Sequence, residues 1–492
     1  MGILFLEPLR KEFCFMGKKK RNIIIAIMVS MFLAAFEGTV VTTAMPTIAK
    51  SLNGYSLMSW VFSSYLLTSA VSTPIYGKLS DLYGRKKMLS IGIVIFLVGS
   101  ALCGFSQSMI QLIAFRAIQG IGAGSILTVT YTIVGDVFEL EERSKVQGCL
   151  STVWGVSSLL GPFIGGFFID YLSWHWIFFI NIPFGILSIF LLNKNFEEKL
   201  SNSNPKIDYL GSIFLTISIV SILLGVFTTS SSIKMVYAIL TIISLVIFYL
   251  IEKKSKEPIV PFDIFSKDTI LLNIIGFLVA IILMVIEVYM PLYTQNVMGY
   301  SAKISGLLMA PMSITWLLSS FILIKLFEKF GEKKVILGSI LILAVNCYLL
   351  RFTTPDTNLI YIILIVFVMG AGFGGVLNTL IILIQNAVSY EKRGAATSTN
   401  ALIRTLGQTI GVSVFGGLMN SSISSYFKNS DISNVTADNI YFSGASTHQI
   451  MEAFFDGIHN IFYVLIFVAL ICFVAGIFIS KKSILEKKNP EV

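Results

Sequence analysis

Apolar stretches of about 20 residues recur from one end of this 492-residue chain to the other, with only short polar connections between them. A run of that length matches the hydrocarbon thickness of a bilayer when it is helical. Only 13% of the residues are charged and the mean hydropathy is +0.83, whereas a soluble domain carries about 25% charged residues. So little charge cannot cover a soluble surface of this size. A soluble enzyme and a disordered scaffold are excluded, and so is a β-barrel, whose strands read as short alternating segments. The chain is expected to be an all-α integral membrane protein embedded in a lipid bilayer.

Fourteen spans are expected, at about 22–45, 58–79, 88–106, 109–135, 148–170, 174–193, 207–229, 234–252, 269–293, 303–325, 335–352, 358–385, 396–420 and 456–480. The net charge of +9 comes from short loops, so it reports topology and not nucleic-acid binding. With the N-terminus inside, 29 of the 36 Lys and Arg fall on the inner side and five on the outer, with Arg116 and Arg404 inside spans. Cytoplasmic loops collect basic residues, so both termini are expected in the cytoplasm and the protein in the plasma membrane. No cleavable signal is evident. Met16-Gly17-Lys18-Lys19-Lys20-Arg21 reads as a natural start, with residues 1–15 as an upstream extension. Five scattered cysteines with no CxxC, and the isolated His175, His448 and His459, suggest neither a disulfide framework nor a metal site. No cofactor is expected.

The chain repeats itself. Met45-Pro46 and Gly54-Tyr55-Ser56 return 245 residues later as Met290-Pro291 and Gly299-Tyr300-Ser301. Gly84 and Lys86-Lys87 return after 247 as Gly331 and Lys333-Lys334, and Gly120, Gly122 and Gly124 after 250 as Gly370, Gly372 and Gly374. An offset of eight spans makes spans 1–6 equivalent to spans 9–14, leaving two inserted. Parallel repeats of this kind hold a substrate path between them. The expected divisions are a cytoplasmic segment 1–21, a first bundle 22–193, a two-helix linker 194–268, a second bundle 269–480 with an external loop at about 421–455, and a tail 481–492.

Several of these segments resemble known motifs. Gly77-Lys-Leu-Ser-Asp81-Leu-Tyr-Gly84-Arg85-Lys86-Lys87 resembles the signature loop of the major facilitator superfamily, and Arg116 to Gly124 its second motif. Gly155 with Gly161-Pro162-Phe-Ile-Gly165-Gly166 is similar to the motif of its antiporters. Glu37 to Pro46 is similar to the first span of the fourteen-span drug:proton antiporters, which carry Asp where this chain has Glu37. The resemblance implies a fold of 14 transmembrane helices arranged 6 + 2 + 6. It further implies efflux of amphipathic cationic drugs in exchange for protons by alternating access. It also implies that Asp81 docks against the opposite half, with the start of span 13 as receiver; Gly77, Gly84, Arg85 and Arg393 belong to this cytoplasmic gate, and Arg85 with Asp136 or Glu139 is expected to complete an inner charge lock.

Charges within a span are costly and mark functional candidates. Glu37, Arg116, Glu287 and Arg404 are the four. Glu37 and Arg116 are expected at similar depth, Glu37 as the proton-titrating carboxylate, the alternative being a permanent structural pair. Glu287 is a candidate for cation recognition and Arg404 for neutralising a carboxylate or lining the path. The glycine triplets lack the context of a nucleotide loop and read as helix-packing surfaces. The partners expected are a small-molecule substrate, protons and lipid, with the protein acting as a monomer. A narrow exporter of a lipid, metabolite or peptide remains open, as does a sensor. A membrane enzyme has little support, with no HExxH or GxSxG, and an ATP-driven pump fails for want of a GxxxxGK[ST] loop.

Overall fold

In a computed structural model the described residues are 18–138, 140–196, 198, 208–228, 230–255, 258, 260, 262–389, 392–429 and 435–480. The Met16 start, Glu139, most of 197–207 and the tail 481–492 lie outside them. Among the described residues the regular structure is helical. First come α1 (Lys18–Ser51), α2 (Met58–Tyr83), α3 (Arg85–Gly104), α4 (Met109–Val137), α5 (Leu140–Tyr171) and α6 (Asn181–Asn195), the last led in by the single turn Trp176–Phe179. α7 (Tyr209–Phe227) and α8 (Ser231–Glu252) follow. Then come α9 (Lys267–Asn296), α10 (Ala302–Phe330), α11 (Glu332–Leu349), α12 (Leu359–Asn386), α13 (Arg393–Asn429) and α14 (Thr447–Ile477). Helices are forced here because lipid offers no partner to a free backbone N–H or C=O.

Twelve of these helices are long and apolar enough to cross a membrane, fewer than the fourteen spans expected. The two that fall short are α2 and α7. α2 is long but studded with Ser59, Ser63, Ser64, Thr68, Ser69, Ser72 and Thr73; the apolar part of α7 is the shorter Leu210–Gly225. The chain is a multi-pass membrane protein on the strength of the other twelve.

Three expected boundaries shift. α1 does not stop at 45 but continues through Pro46 to Ser51, and α9 runs to Asn296, beyond the expected end at 293. A proline removes one N–H, and a transmembrane helix tolerates that where neighbours compensate; here Ile48 and Ala49 remain fully buried beyond Pro46. Glu37 therefore stands 14 residues from the end of its helix, about 21 Å, and Glu287 nine residues, about 13 Å. The expected loop 421–455 is mostly helix, since α13 extends to Asn429 and α14 begins at Thr447. Its Ser446 cap, paired reciprocally with Gln449, sets that start.

The first six and last six helices pack alike. α4 lies against α2 and α3, as α12 lies against α10 and α11; α1 lies against α5 and α6, as α9 lies against α13 and α14. The glycine triplets explain the first pattern. A Cβ at Gly120 or Gly124 would strike α2 and one at Gly122 would strike α3, while Gly370 and Gly374 face α10 and Gly372 faces α11 in the same alternation. The two helix sets meet along α5–α10 and α2–α13, with α1 and α9 between. α7 and α8 cover the α2–α13 seam through an apolar cluster joined by Trp60, Leu67, Leu402 and Leu406.

The close approach at Gly370 predicts a specific sensitivity. Gly370→Val should wedge α12 off the Met312 carbonyl and Thr315 hydroxyl of α10, costing about 1–3 kcal/mol and lowering the melting temperature in detergent. Gly338→Ala, with open space around its Cβ, should leave the melt unchanged; equal effects from both would sink the packing explanation.

Candidate functional site

Among the described residues, Arg116 is the largest fully buried side chain. From α4 its Nη1 reaches Glu37 Oε1 of α1 at 2.5 Å and Gln119 Oε1 at 2.8 Å. Its Nε donates to the Val61 carbonyl of α2 at 3.4 Å, and its guanidinium lies 4.1 Å from the Tyr65 ring centre. The other carboxylate oxygen, Glu37 Oε2, accepts from Asn181 Nδ2 at 2.6 Å; Asn181 also donates to Ser100 Oγ at 3.0 Å. Glu37 is 0% exposed and Arg116 1%. The expected meeting of Glu37 and Arg116 is thus what the structure holds. Each oxygen of this fully buried carboxylate accepts one hydrogen bond, from α4 and from α6 respectively. Gln119, Asn181, Tyr65 and Ser100 escaped the sequence reading because it filtered on charge; the signal was uncharged polar residues within apolar runs.

The other two candidates stand apart from this network and from each other. Glu287 is half-buried on α9 and has no hydrogen-bond or ion-pair partner among the described residues. It lines a small cavity between the helix sets with Thr39 and Thr42 of α1, Ser158 and Pro162 of α5, and Met309, Met312 and Ser313 of α10. Arg404, on α13, packs its stem over Gly276 of α9 and is electrostatically coupled to Tyr131 of α4. Its Nε has no hydrogen-bond partner among the described residues. Gly276 and Glu287 are three turns apart on one face of α9, so Arg404 and Glu287 are separated by roughly 16 Å along that helix.

Pro162 shapes the cavity. Lacking an N–H, it leaves the carbonyl four residues back, that of Ser158, without a helical donor. Ser313 Oγ of α10 donates to that carbonyl at 3.0 Å, and Thr39 Oγ1 of α1 donates to the neighbouring Ser157 carbonyl at 3.1 Å. The motif glycines allow this closeness. Gly161 and Gly165 lie against Thr39 and Val40 of α1, Gly155 against Leu317, and Gly166 against the Ala302–Lys303 backbone.

The signature loop forms a charge network inside the first helix set. Gly84 makes the turn at φ 95°, as its repeat partner Gly331 does at 77°, a region open to glycine. Arg85 then reaches back to Asp81 at 2.7 Å and across to Asp136 at the end of α4. Glu198 accepts from the backbone N–H groups of Arg85 and Lys86, capping α3. Asp81 is therefore held by Arg85, one turn away, and not docked on the start of α13. There Arg393 donates from Nε to the Gln385 carbonyl at 3.0 Å. A Cβ on Gly77 would meet only Thr128, at 3.5 Å, so packing does not demand glycine there.

A profile of the Major Facilitator Superfamily matches residues 27–412. The chain belongs to the major facilitator superfamily. Similar proteins include Multidrug resistance protein 3 of Bacillus subtilis (strain 168), 36% identical over 80% of this chain and 78% of that protein. Multidrug efflux pump SdrM of Staphylococcus aureus (strain N315) is 31% identical over 80% of this chain and 89% of its own. Among solved structures, a bacterial homologue of the human lysosomal transporter Spinster, inward-facing and occupied, superposes with a TM-score of 0.67. It is 15% identical and covers 97% of this chain and all of that one, so the likeness is one of fold. The protein is a superfamily membrane transporter, not an enzyme, with relatives named for multidrug efflux.

Removing one member of the buried pair tests how the network is held. Arg116→Ala leaves Glu37 uncompensated and should destabilise by about 3–5 kcal/mol. Asn181→Leu, which strips one donor from the same carboxylate, should cost about 1–3 kcal/mol. Thermal unfolding in detergent reads both; an Arg116→Ala protein as stable as the parent would rule out a sealed ion pair.

Proposed function

We propose that this protein exports amphipathic organic cations across the plasma membrane in exchange for protons, by alternating access. The reading rests above all on Glu287, an ionisable carboxylate left without a counter-ion at the cavity between two helix sets. A bare carboxylate in an apolar setting is a poor stability device and a good receptor for a cation. Glu37 takes the coupling role, because Arg116 and Asn181 compensate its charge only while α1, α4 and α6 keep their present packing. Arg404, with its Nε unpartnered among the described residues, lines the path on the α13 side. The names of the relatives support efflux of drugs as the broad class.

The arrangement of fourteen crossings, six plus two plus six, belongs to the same proposal. α2 joins the end of α1 to the start of α3 across 26 residues, about 39 Å, and its hydroxyls are turned back onto its own carbonyls, as from Ser63 to Ser59 and Thr68 to Ser64. α7 adds 19 residues, about 28 Å. The excess of Lys and Arg on the face bearing the start of α1 supports a cytoplasmic location for that face and for both termini. Hydrogen bonds between the helix sets then cluster on the outer side. Gln295 donates to the Thr43 carbonyl at 3.0 Å, Asn296 to the Tyr55 hydroxyl at 3.1 Å, and the Ser63 and Ser413 hydroxyls are hydrogen-bonded to each other at 2.7 Å. We read this as a conformation closed outside, with the protein collecting substrate from the cytoplasm as a monomer. Opening outside would bring the Asp81–Arg85–Asp136 network towards Arg393 and shut the inner face, with α5 bending at Pro162.

Ethidium-driven proton release from proteoliposomes tests the scheme. Glu37→Gln should abolish proton release while ethidium still binds; Glu287→Gln should weaken ethidium binding about tenfold or more, the scale of one charge-assisted contact. Full coupled transport by Glu37→Gln would overturn its role, and a well-folded wild type indifferent to ethidium would overturn the substrate class.

A further inference from the structure

At the outer ends of α13 and α14 lies a second cavity, of about 570 Å³ and independent of the path between the helix sets. Ser421, Ser422 and Ser425 of α13 line one wall, and Asp456, His459 and Asn460 of α14 the other. Asn460 Nδ2 donates to Ser422 Oγ at 3.1 Å and ties the walls together. The depth of this cleft is fixed by the sequence below it. Ile461–Ile479 is an uninterrupted apolar run of 19 residues, about 28 Å of helix, which fills the hydrocarbon of one bilayer. Residues 456–460 therefore stand at headgroup level.

The cleft is chemically two-sided. Asp456 is exposed and has no hydrogen-bond or ion-pair partner among the described residues. The neighbouring Glu452 is occupied, accepting from the Tyr426 hydroxyl at 2.5 Å with His448 3.6 Å away. Across from it stand the serine hydroxyls of α13, and one turn along α14 from Asp456 is His459, whose Nδ1 is buried with no hydrogen-bond partner among the described residues. Its ring is held between Phe455 at 5.1 Å and Tyr463 at 5.0 Å, and the Arg351 guanidinium lies over Tyr463 at 5.4 Å. One free carboxylate beside several neutral donors suits a ligand with both an ammonium and a phosphodiester. Below the cleft the same face of α14 continues through Phe467, Ile471 and Val474, exposed by 65%, 58% and 52%, at the three- and four-residue spacing of one helical face.

We propose that this cleft binds the headgroup of an outer-leaflet aminophospholipid, with the ammonium on Asp456, the phosphate on His459 and the serines, and the acyl chains along the exposed α14 face. An anionic lipid is disfavoured by Asp456 and Glu452, and a quaternary headgroup has no N–H to donate to Asp456. The site does not depend on the export reading.

Native mass spectrometry of the full chain, equilibrated with equal amounts of phosphatidylethanolamine, phosphatidylcholine and phosphatidylglycerol, tests it. The wild type should retain phosphatidylethanolamine about tenfold over either other lipid, the size of one charge-assisted hydrogen bond. Asp456→Asn should bring that preference to within about twofold without loss of phosphatidylcholine, while Ser425→Leu, which fills the cleft, should release all three. Equal retention by the wild type, or a preference unchanged in Asp456→Asn, would overturn the proposal. So would displacement of the lipid by ethidium, which would make the cleft a station for transported cations.

Discussion

The Glu37–Arg116 pair can exist only where each charge, once buried, is met by partners, and much of the first helix set is arranged to meet that condition. The pair draws in Val61 and Tyr65 from α2, Gln119 from α4, Ser100 from α3 and Asn181 from α6, so that five helices share one electrostatic centre. Replacing such a pair with well-packed apolar residues is often neutral or stabilising. Its presence in a membrane interior, where apolar side chains are the cheap choice, is therefore better explained by a use for charge than by a need for stability. The two donors to the carboxylate belong to different helices, so displacement of either helix would leave it short of a partner.

The glycines supply the geometric side of this arrangement. At Gly166 and Gly306 the backbones of α5 and α10 come so close that a methyl group would overlap main-chain atoms. In lipid, where apolar side chains gain nothing by leaving the solvent, such backbone approach and the hydrogen bonds it permits are what hold helices together. The serine-to-carbonyl bonds beside Pro162 are the local case. A residue that weakens α5 as a helix strengthens its attachment to α1 and α10, by freeing the Ser158 carbonyl that Ser313 then occupies.

Much of this was legible in the sequence. Apolar run length gave the helices, a drifting repeat offset predicted the matching packing of α4 and α12, and charges in apolar runs pointed to Glu37 and Arg116. Helix ends were less legible, because Pro46 and Pro291 look like stops while the residues beyond them still have buried neighbours. The partners of Glu37 were hidden for another reason: Asn181 and Gln119 carry no charge, and their value depends on which helix faces which. The pairing of Asp81 with Arg85 was obscured by the turn at Gly84, whose positive φ returns the chain so that a side chain four residues on faces back.

The two carboxylates between them describe how a single charge balance can be moved through this fold. Glu37 is paired with Arg116 of its own half, and Glu287 has no ion-pair partner among the described residues. Thr39, two residues beyond Glu37, both donates to α5 and lines the Glu287 cavity, so any motion of α1 that loosens the first site also reshapes the second. A cation seated against Glu287 would stabilise the position of α1 that gives it room, and a proton on Glu37 would stabilise a position in which Arg116 is released. If those positions differ, the two ligands oppose one another through one helix, and exchange across the membrane follows from packing geometry without any contact between them.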